Sequence, residues 1–248
     1  MNKKNLLTMA AIFMVTFLSV GLASCSSDDS DEAEKDDGVD TSPITLFAGN
    51  NKIIMGADTI FSSNRFVAYG KGNTVNAWHV GQTELLVNNK KRIAITVLPK
   101  YTLYDDPICE WGCSRDYIKN HQKQGSINSK SNEKILAYDN AGAATILSYS
   151  FENDKLKSVI AIVSLKHYSQ YADYLTERFI MLPYYKGEDT YFIGADGLDE
   201  KSRKTVAVLS NYDTRYLATV YMPANDYVTR SISKDTLNEV KELLKHFE

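Results

Sequence analysis

Three patterns of apolar and polar positions follow one another along the chain. Residues 6–20 are almost continuously apolar behind the charged start Met1-Asn-Lys-Lys, a run too short for a comfortable membrane span. A basic start, a short apolar core and small residues at Ala23-Ser24 make up an export signal, which is cleaved and takes no part in the fold. Residues 26–40 are polar and acidic, and predict a solvated linker reaching at most roughly 50 Å when fully extended. From Ser42 to Pro99 the chain changes to short alternating runs broken by turn residues. These runs predict strands at Ile44–Phe47, Lys52–Met55, Arg65–Tyr69, Thr74–Trp78, Thr83–Val87 and Arg92–Leu98, an all-β sandwich.

From Lys100 the pattern mixes periods. Ser114 reads as the N-cap of a helix over 115–122, followed by a polar loop and strands at 135–138, 144–151 and 156–165, the last two turning at Asn153-Asp154. A second helix is predicted over 169–182, where Tyr168, Tyr171, Leu175, Phe179 and Leu182 recur three or four residues apart and Pro183 stops the run. Strands at 190–194, 205–211 and 216–222 follow, and a last helix over 234–247 carries Leu237, Val240, Leu244 and Phe247 on one face. Helix, strand and hairpin thus repeat at a period of roughly 55 residues, which predicts an internal duplication.

Several segments resemble known families. Leu22-Ala-Ser-Cys25 resembles the lipobox of bacterial lipoproteins, which implies acylation of Cys25; a plain secretory signal is the alternative. Several acyl chains would make a firm anchor where one chain is marginal. Ser27-Asp-Asp-Ser-Asp-Glu32 resembles the signal that carries Bacteroidetes lipoproteins across the outer membrane, which implies display at the cell exterior rather than on the periplasmic face. Phe66-Val-Ala-Tyr69, Thr74-Val-Asn-Ala-Trp78, Val80-Gly-Gln-Thr-Glu-Leu-Leu-Val87 and Ile93-Ala-Ile-Thr-Val97 resemble the C-terminal half of a bacterial immunoglobulin-like domain. The duplicated pattern after residue 100, with Trp111-Gly-Cys-Ser114 opening its first helix, resembles the β-lactamase-inhibitor-protein-like fold, with TATA-box-binding-like duplication as its rival. The expected fold class is therefore multidomain. Residues 1–24 are the lipoprotein signal peptide, 25–41 the lipidated cysteine and acidic linker, 42–99 the immunoglobulin-like sandwich, and 100–248 an α+β domain of two helix-plus-three-strand repeats with a C-terminal helix.

Charge alters this picture in one respect. The net charge is −3, but residues 26–40 alone hold eight acids against Lys35, so the remainder is nearly neutral. A nucleic-acid partner is not expected, because it would require a basic footprint. The four histidines are scattered and none has a second ligand at metal spacing, and no phosphate loop, nucleophile elbow or dinucleotide fingerprint occurs, so neither metal nor cofactor is expected. Asp105-Asp106 and Asp199-Glu200 read as loop acids, and Asp196-Gly-Leu-Asp199 as a turn. Cys109 and Cys113 are the two thiols left after Cys25, and either a disulfide or two reduced thiols fits their spacing.

Sixteen tyrosines and two tryptophans supply candidate contact area, and Trp111, Tyr174, Tyr184 and Tyr185 are the candidate ligand-binding aromatics. The expected function is non-enzymatic: a lipid-anchored outer-membrane protein whose immunoglobulin-like part is a spacer for a module that binds a protein partner. A glycan-binding accessory role in polysaccharide uptake is the alternative, with a hydrolase third.

Overall fold

The computed structural model describes residues 38–186, 189–211 and 214–225, and for 185, 186, 189 and 190 it describes the backbone alone. The described residues belong to one compact unit. The signal, Cys25, most of the acidic linker and the helix expected over 234–247 lie outside the described residues.

Residues 44–98 build two facing sheets. One contains β1 (Ile44–Phe47), β7 (Lys91–Leu98), β6 (Gly81–Val87) and β3 (Ile60–Ser62), in that order. The other contains β2 (Asn51–Ile53), β5 (Thr74–Ala77) and β4 (Ala68–Lys71). β1 lies parallel to β7 and every other pairing in the two sheets is antiparallel. Alternation decides which side chains enter the space between them: Ile93, Ile95 and Val97 of β7, Leu85 and Val87 of β6, and Val75 and Ala77 of β5 are buried in one core. β3 is not legible in the sequence because it is three residues long, too short to display an alternation, and its apolar Phe61 points to solvent.

After a connecting segment, α1 (Arg115–His121) begins at Ser114, whose hydroxyl accepts the Tyr117 N–H at 3.2 Å as a cap. There follow β8 (Ser126–Ile127), β9 (Ile135–Ala141), β10 (Ala144–Glu152) and β11 (Lys155–Ser164). A short 3-10 turn leads into α2 (Tyr168–Thr176), and β12 (Ile180–Lys186), β13 (Asp189–Ala195), β14 (Thr205–Asn211) and β15 (Tyr216–Pro223) follow. All eight strands join one antiparallel sheet ordered β12-β13-β14-β15-β11-β10-β9-β8. The β10–β11 turn falls at Asn153 and Asp154, both at positive φ, the geometry a two-residue hairpin requires.

The expected α+β domain of two helix-plus-three-strand repeats is corrected by this sheet. Strands dominate, two α-helices of seven and nine residues are present among the described residues, and no helix-plus-strand repeat domain forms. The misreading has a local cause. The helix predicted over 169–182 stops at Thr176, and the apolar residues that prolonged its stripe belong to the chain leaving it: Phe179 follows the helix and Leu182 lies in β12. Pro183 sits inside that strand rather than ending a helix, and β12 is an edge of the sheet, where a missing N–H can be tolerated.

α1, α2 and the segment from Leu103 to Cys113 pack on one face of the sheet around Tyr149, Leu156, Val159, Tyr171 and Tyr221. The other face carries Ile160, Ile162, Ala218 and Val220 in one buried cluster and Val206, Val208 and Ala224 in another. On this second face the Ser148 hydroxyl is enclosed without a hydrogen-bond partner.

Candidate binding surface

Two polar and aromatic constructions stand out. The first joins the sandwich to the large sheet. Immediately after α2, the Glu177 carboxylate accepts the Lys100 N–H at 3.1 and 3.0 Å on its two oxygens and the Tyr101 N–H at 3.1 Å. Its own backbone oxygen accepts the Val80 N–H at 2.8 Å, so one residue ties the end of the sandwich and the chain leaving it. Arg178 points the other way: Nε donates to Asp106 Oδ1 at 2.5 Å, one terminal nitrogen donates to the Tyr174 carbonyl at 2.9 Å, and the guanidinium lies 3.8 Å over the Tyr174 ring. Such a charged, hydrogen-bonded and stacked arginine is what the planar guanidinium suits.

Behind it lies a chain of buried hydroxyls. Tyr174 donates to Asp106 at 2.9 Å, Tyr104 pairs with Tyr171 at 3.2 Å and with Tyr221 at 2.8 Å, and Tyr171 donates to Thr219 at 2.6 Å. Burial, reinforced by neighbouring phenols and for Tyr174 by Asp106, pushes Tyr104, Tyr174 and Tyr221 well above the ordinary tyrosine range. They stay protonated at neutral pH and act as hydrogen-bonded struts between the helical layer and the sheet.

The second construction reaches the surface. In β5, Val75 and Ala77 face the sandwich core, so Asn76 faces outward; Trp78, just beyond the strand, is exposed as well. Phe66 is buried; His79 stacks on it at 3.9 Å with the rings 2° from parallel, and Trp78 leans on His79 at 4.5 Å. The His79 ring is 2% exposed and its Nδ1 lies 2.8 Å from the Phe66 carbonyl, so this nitrogen carries the proton and the ring is held in place. Burial lowers the His79 pKa, which keeps the imidazole neutral. Trp78 remains 43% exposed and meets Tyr69 of β4 edge-on at 6.0 Å. Tyr69 stands opposite Asn76, and Asn76 opposite Asn51 of β2, so the three share one outer row. Among the described residues nothing hydrogen-bonds the side-chain amides of Asn51 or Asn76.

The aromatics singled out by sequence do not form one surface. Tyr174 is fully buried, which removes it as a surface contact. Trp111 packs against the core under the helices and its indole N–H donates to the Lys204 carbonyl at 3.1 Å. Tyr184 is 40% exposed on β12, but Met181 of that strand packs on the helical side, so Tyr184, three residues on, faces the opposite side from Trp111. The Tyr185 side chain lies outside the described residues.

Cys109 and Cys113 are free thiols, so no bridge closes the turn between them. That turn is held instead by the Cys113 N–H to Glu110 and by reciprocal backbone bonds with Leu156, and burial pushes both thiols upward, away from thiolate chemistry. Asp106 serves Arg178 and Tyr174, while Asp196 and Asp199 accept backbone N–H groups of their own turn. Among the described residues no group of three His, Cys, Asp or Glu could hold a metal ion.

The strand expected over Thr74–Trp78 is one residue shorter, since β5 ends at Ala77. The alternation that buries Val75 and Ala77 nonetheless marks Trp78 as the next outward position. Its bracing by His79 and Phe66 depends on a turn the sequence does not display. Compared with known protein families, curated proteins and solved structures, the chain matches none.

Proposed function

We propose that this chain is a non-enzymatic binding protein of the bacterial outer membrane, anchored by lipid on Cys25, displayed at the cell exterior and contacting its partner through the outer face of the sandwich. The observation that carries it is the Phe66–His79–Trp78 stack. Ordering a large apolar side chain at a surface has an entropic cost, and a stack that holds a half-exposed tryptophan lowers what a ligand must still supply. On this reading the sandwich is more than a spacer. The Glu177 contacts with Val80, Lys100 and Tyr101 tie it to the large sheet, so a load on one part is borne by the other.

A protein partner remains a second reading, favoured by Phe47 and Leu98. They face each other across the parallel β1–β7 pair, both exposed, on the outer side of the four-stranded sheet.

The tether is tested in a bacterium with lipoprotein-processing enzymes. Labelled palmitate is expected on the full chain and absent from Cys25→Ala, which leaves the membrane fraction; external protease is expected to digest the wild-type protein on intact cells. Equal labelling of both chains would sink the anchor, and protection from protease on intact cells would sink exterior display. Crosslinking on intact cells tests the binding face: a partner captured by the wild type and lost from Trp78→Ala supports it, and capture by both equally contradicts it.

A further inference from the structure

We propose that the outer face of the β2–β5–β4 sheet is a binding platform for pyranoside sugars, with Trp78 as its stacking floor, Tyr69 as a wall beside it, and Asn76 and Asn51 as its hydrogen-bonding row. This deepens the binding-protein reading above and rests on it. Four features of the face point to that class of ligand.

The first is shape. A three-stranded sheet of short strands presents an open surface rather than a pocket, and Tyr69, Asn76 and Asn51 lie abreast on three adjacent strands, a row about 10 Å long at the usual strand spacing. An open surface suits a ring stacked face-on rather than a side chain inserted in a pocket. The second is the aromatic floor. The C–H faces of a pyranose are apolar and slightly positive, and they complement the negative face of an indole. Trp78 is exposed and fixed by the His79 stack, and the edge-on Tyr69 ring gives the floor a second wall.

The third is hydrogen-bonding capacity. Each asparagine amide offers a donor and an acceptor on one rigid plane, which matches a pair of neighbouring sugar hydroxyls. Both amides lack a partner among the described residues and lie in register beside the aromatic floor. The fourth is charge. The central row contains neither acid nor base, and the next row, Lys71, Thr74 and Ile53, contributes a single lysine at one end. Lys100 Nζ lies beside Gly49 on the other flank, so the lysines stand at the margins; an uncharged centre complements an uncharged ligand and gives a nucleic-acid backbone no basic track. The same amide row interrupts the apolar area, whereas the centre of a protein interface is a desolvated apolar cluster.

The test uses the full chain in mild detergent and a set of immobilised neutral pyranoside polysaccharides, namely glucans, xylans, mannans and galactans. A hit is then titrated as its oligosaccharide against the Trp111→Phe variant, in which Trp78 is the sole remaining tryptophan. The expected result is saturable binding with a blue shift of the Trp78 emission. Affinity should fall at least about 30-fold in Trp78→Ala, the loss of a dominant contact, and about 5-fold in Asn76→Ala, the loss of one hydrogen bond. Asn76→Ala alters an outward side chain, so its fold is secure should Trp78→Ala prove unstable.

Sugar binding that survives both substitutions unchanged would overturn the platform while leaving a binding protein in place. Capture of a protein that depends on Trp78, with no sugar bound, would overturn the sugar assignment alone. Failure to bind any sugar, together with no Trp78-dependent partner on cells, would overturn both.

Discussion

Removing the Glu177 carboxylate tests whether the sandwich and the large sheet are held together by that side chain. Glu177 is 8% exposed and receives two backbone N–H groups, with the nearest terminal nitrogen of Arg178 3.8 Å away. A hydrogen bond to a charged acceptor contributes about 1.5 to 3 kcal/mol. Lys100 and Tyr101 are exposed enough for water to reach their freed N–H groups, so the lower value applies to each. Glu177→Ala should then cost about 3 kcal/mol, which for a folded unit of this size lowers the melting temperature by about 6 to 12 °C. Glu177→Gln can keep a carbonyl oxygen at Oε2, where both N–H groups already converge, and should cost about 1 kcal/mol for the lost charge assistance.

Urea unfolding would be followed through two single-tryptophan variants, one keeping Trp78 in the sandwich and one keeping Trp111 beside the sheet. With Glu177 present the two transitions should coincide, and in Glu177→Ala they should separate. Transitions that stay coincident, together with a midpoint equivalent to less than about 0.5 kcal/mol of change, would refute the joint.

Further consequences concern single positions. Ser148 contributes a buried hydroxyl without a partner, so Ser148→Ala should raise stability by about 1 kcal/mol in urea titration, and a loss of that size would mean the hydroxyl is satisfied. His79 has a folded pKa below the ordinary 6.5, so its contribution is fully present above pH 6.5 and is lost as the pH falls toward the folded value. Unfolding free energy should therefore drop between pH 6.5 and 5 more steeply in the wild type than in His79→Asn, and identical slopes would refute a neutral buried ring. At Gly70 an added Cβ would collide with the backbone oxygen and Cβ of Ile60 where β3 crosses close to β4, so Gly70→Ala should cost about 3 kcal/mol in thermal or urea unfolding. An unchanged melting temperature there would show that β3 can yield.

Local sequence was enough wherever a segment's structure depends on its own residues. The alternation of 74–77 and 91–98 announces which side chains enter the sandwich core, Ser114 announces α1, and Asn153-Asp154 announces a hairpin, because parity, capping and positive φ are properties of a few neighbours. What the sequence could not determine depended on distant partners. The stripe from Tyr168 to Leu182 reads as one helix, yet its last residues pair with β13 at the sheet edge, and only that pairing makes them a strand.

Tyr174 reads as an outward aromatic until Asp106, Tyr104 and Arg178, separated from it in the chain or lying one turn beyond it, close around it. Trp78 shows the same division within one residue. Its outward direction was legible from parity, but the rigidity that makes it a candidate contact comes from Phe66 and His79, brought face to face by the packing of the sandwich. Backbone preference is a local quantity that the sequence carries by itself. Burial and stacking are pairwise quantities that acquire values only when the chain has folded.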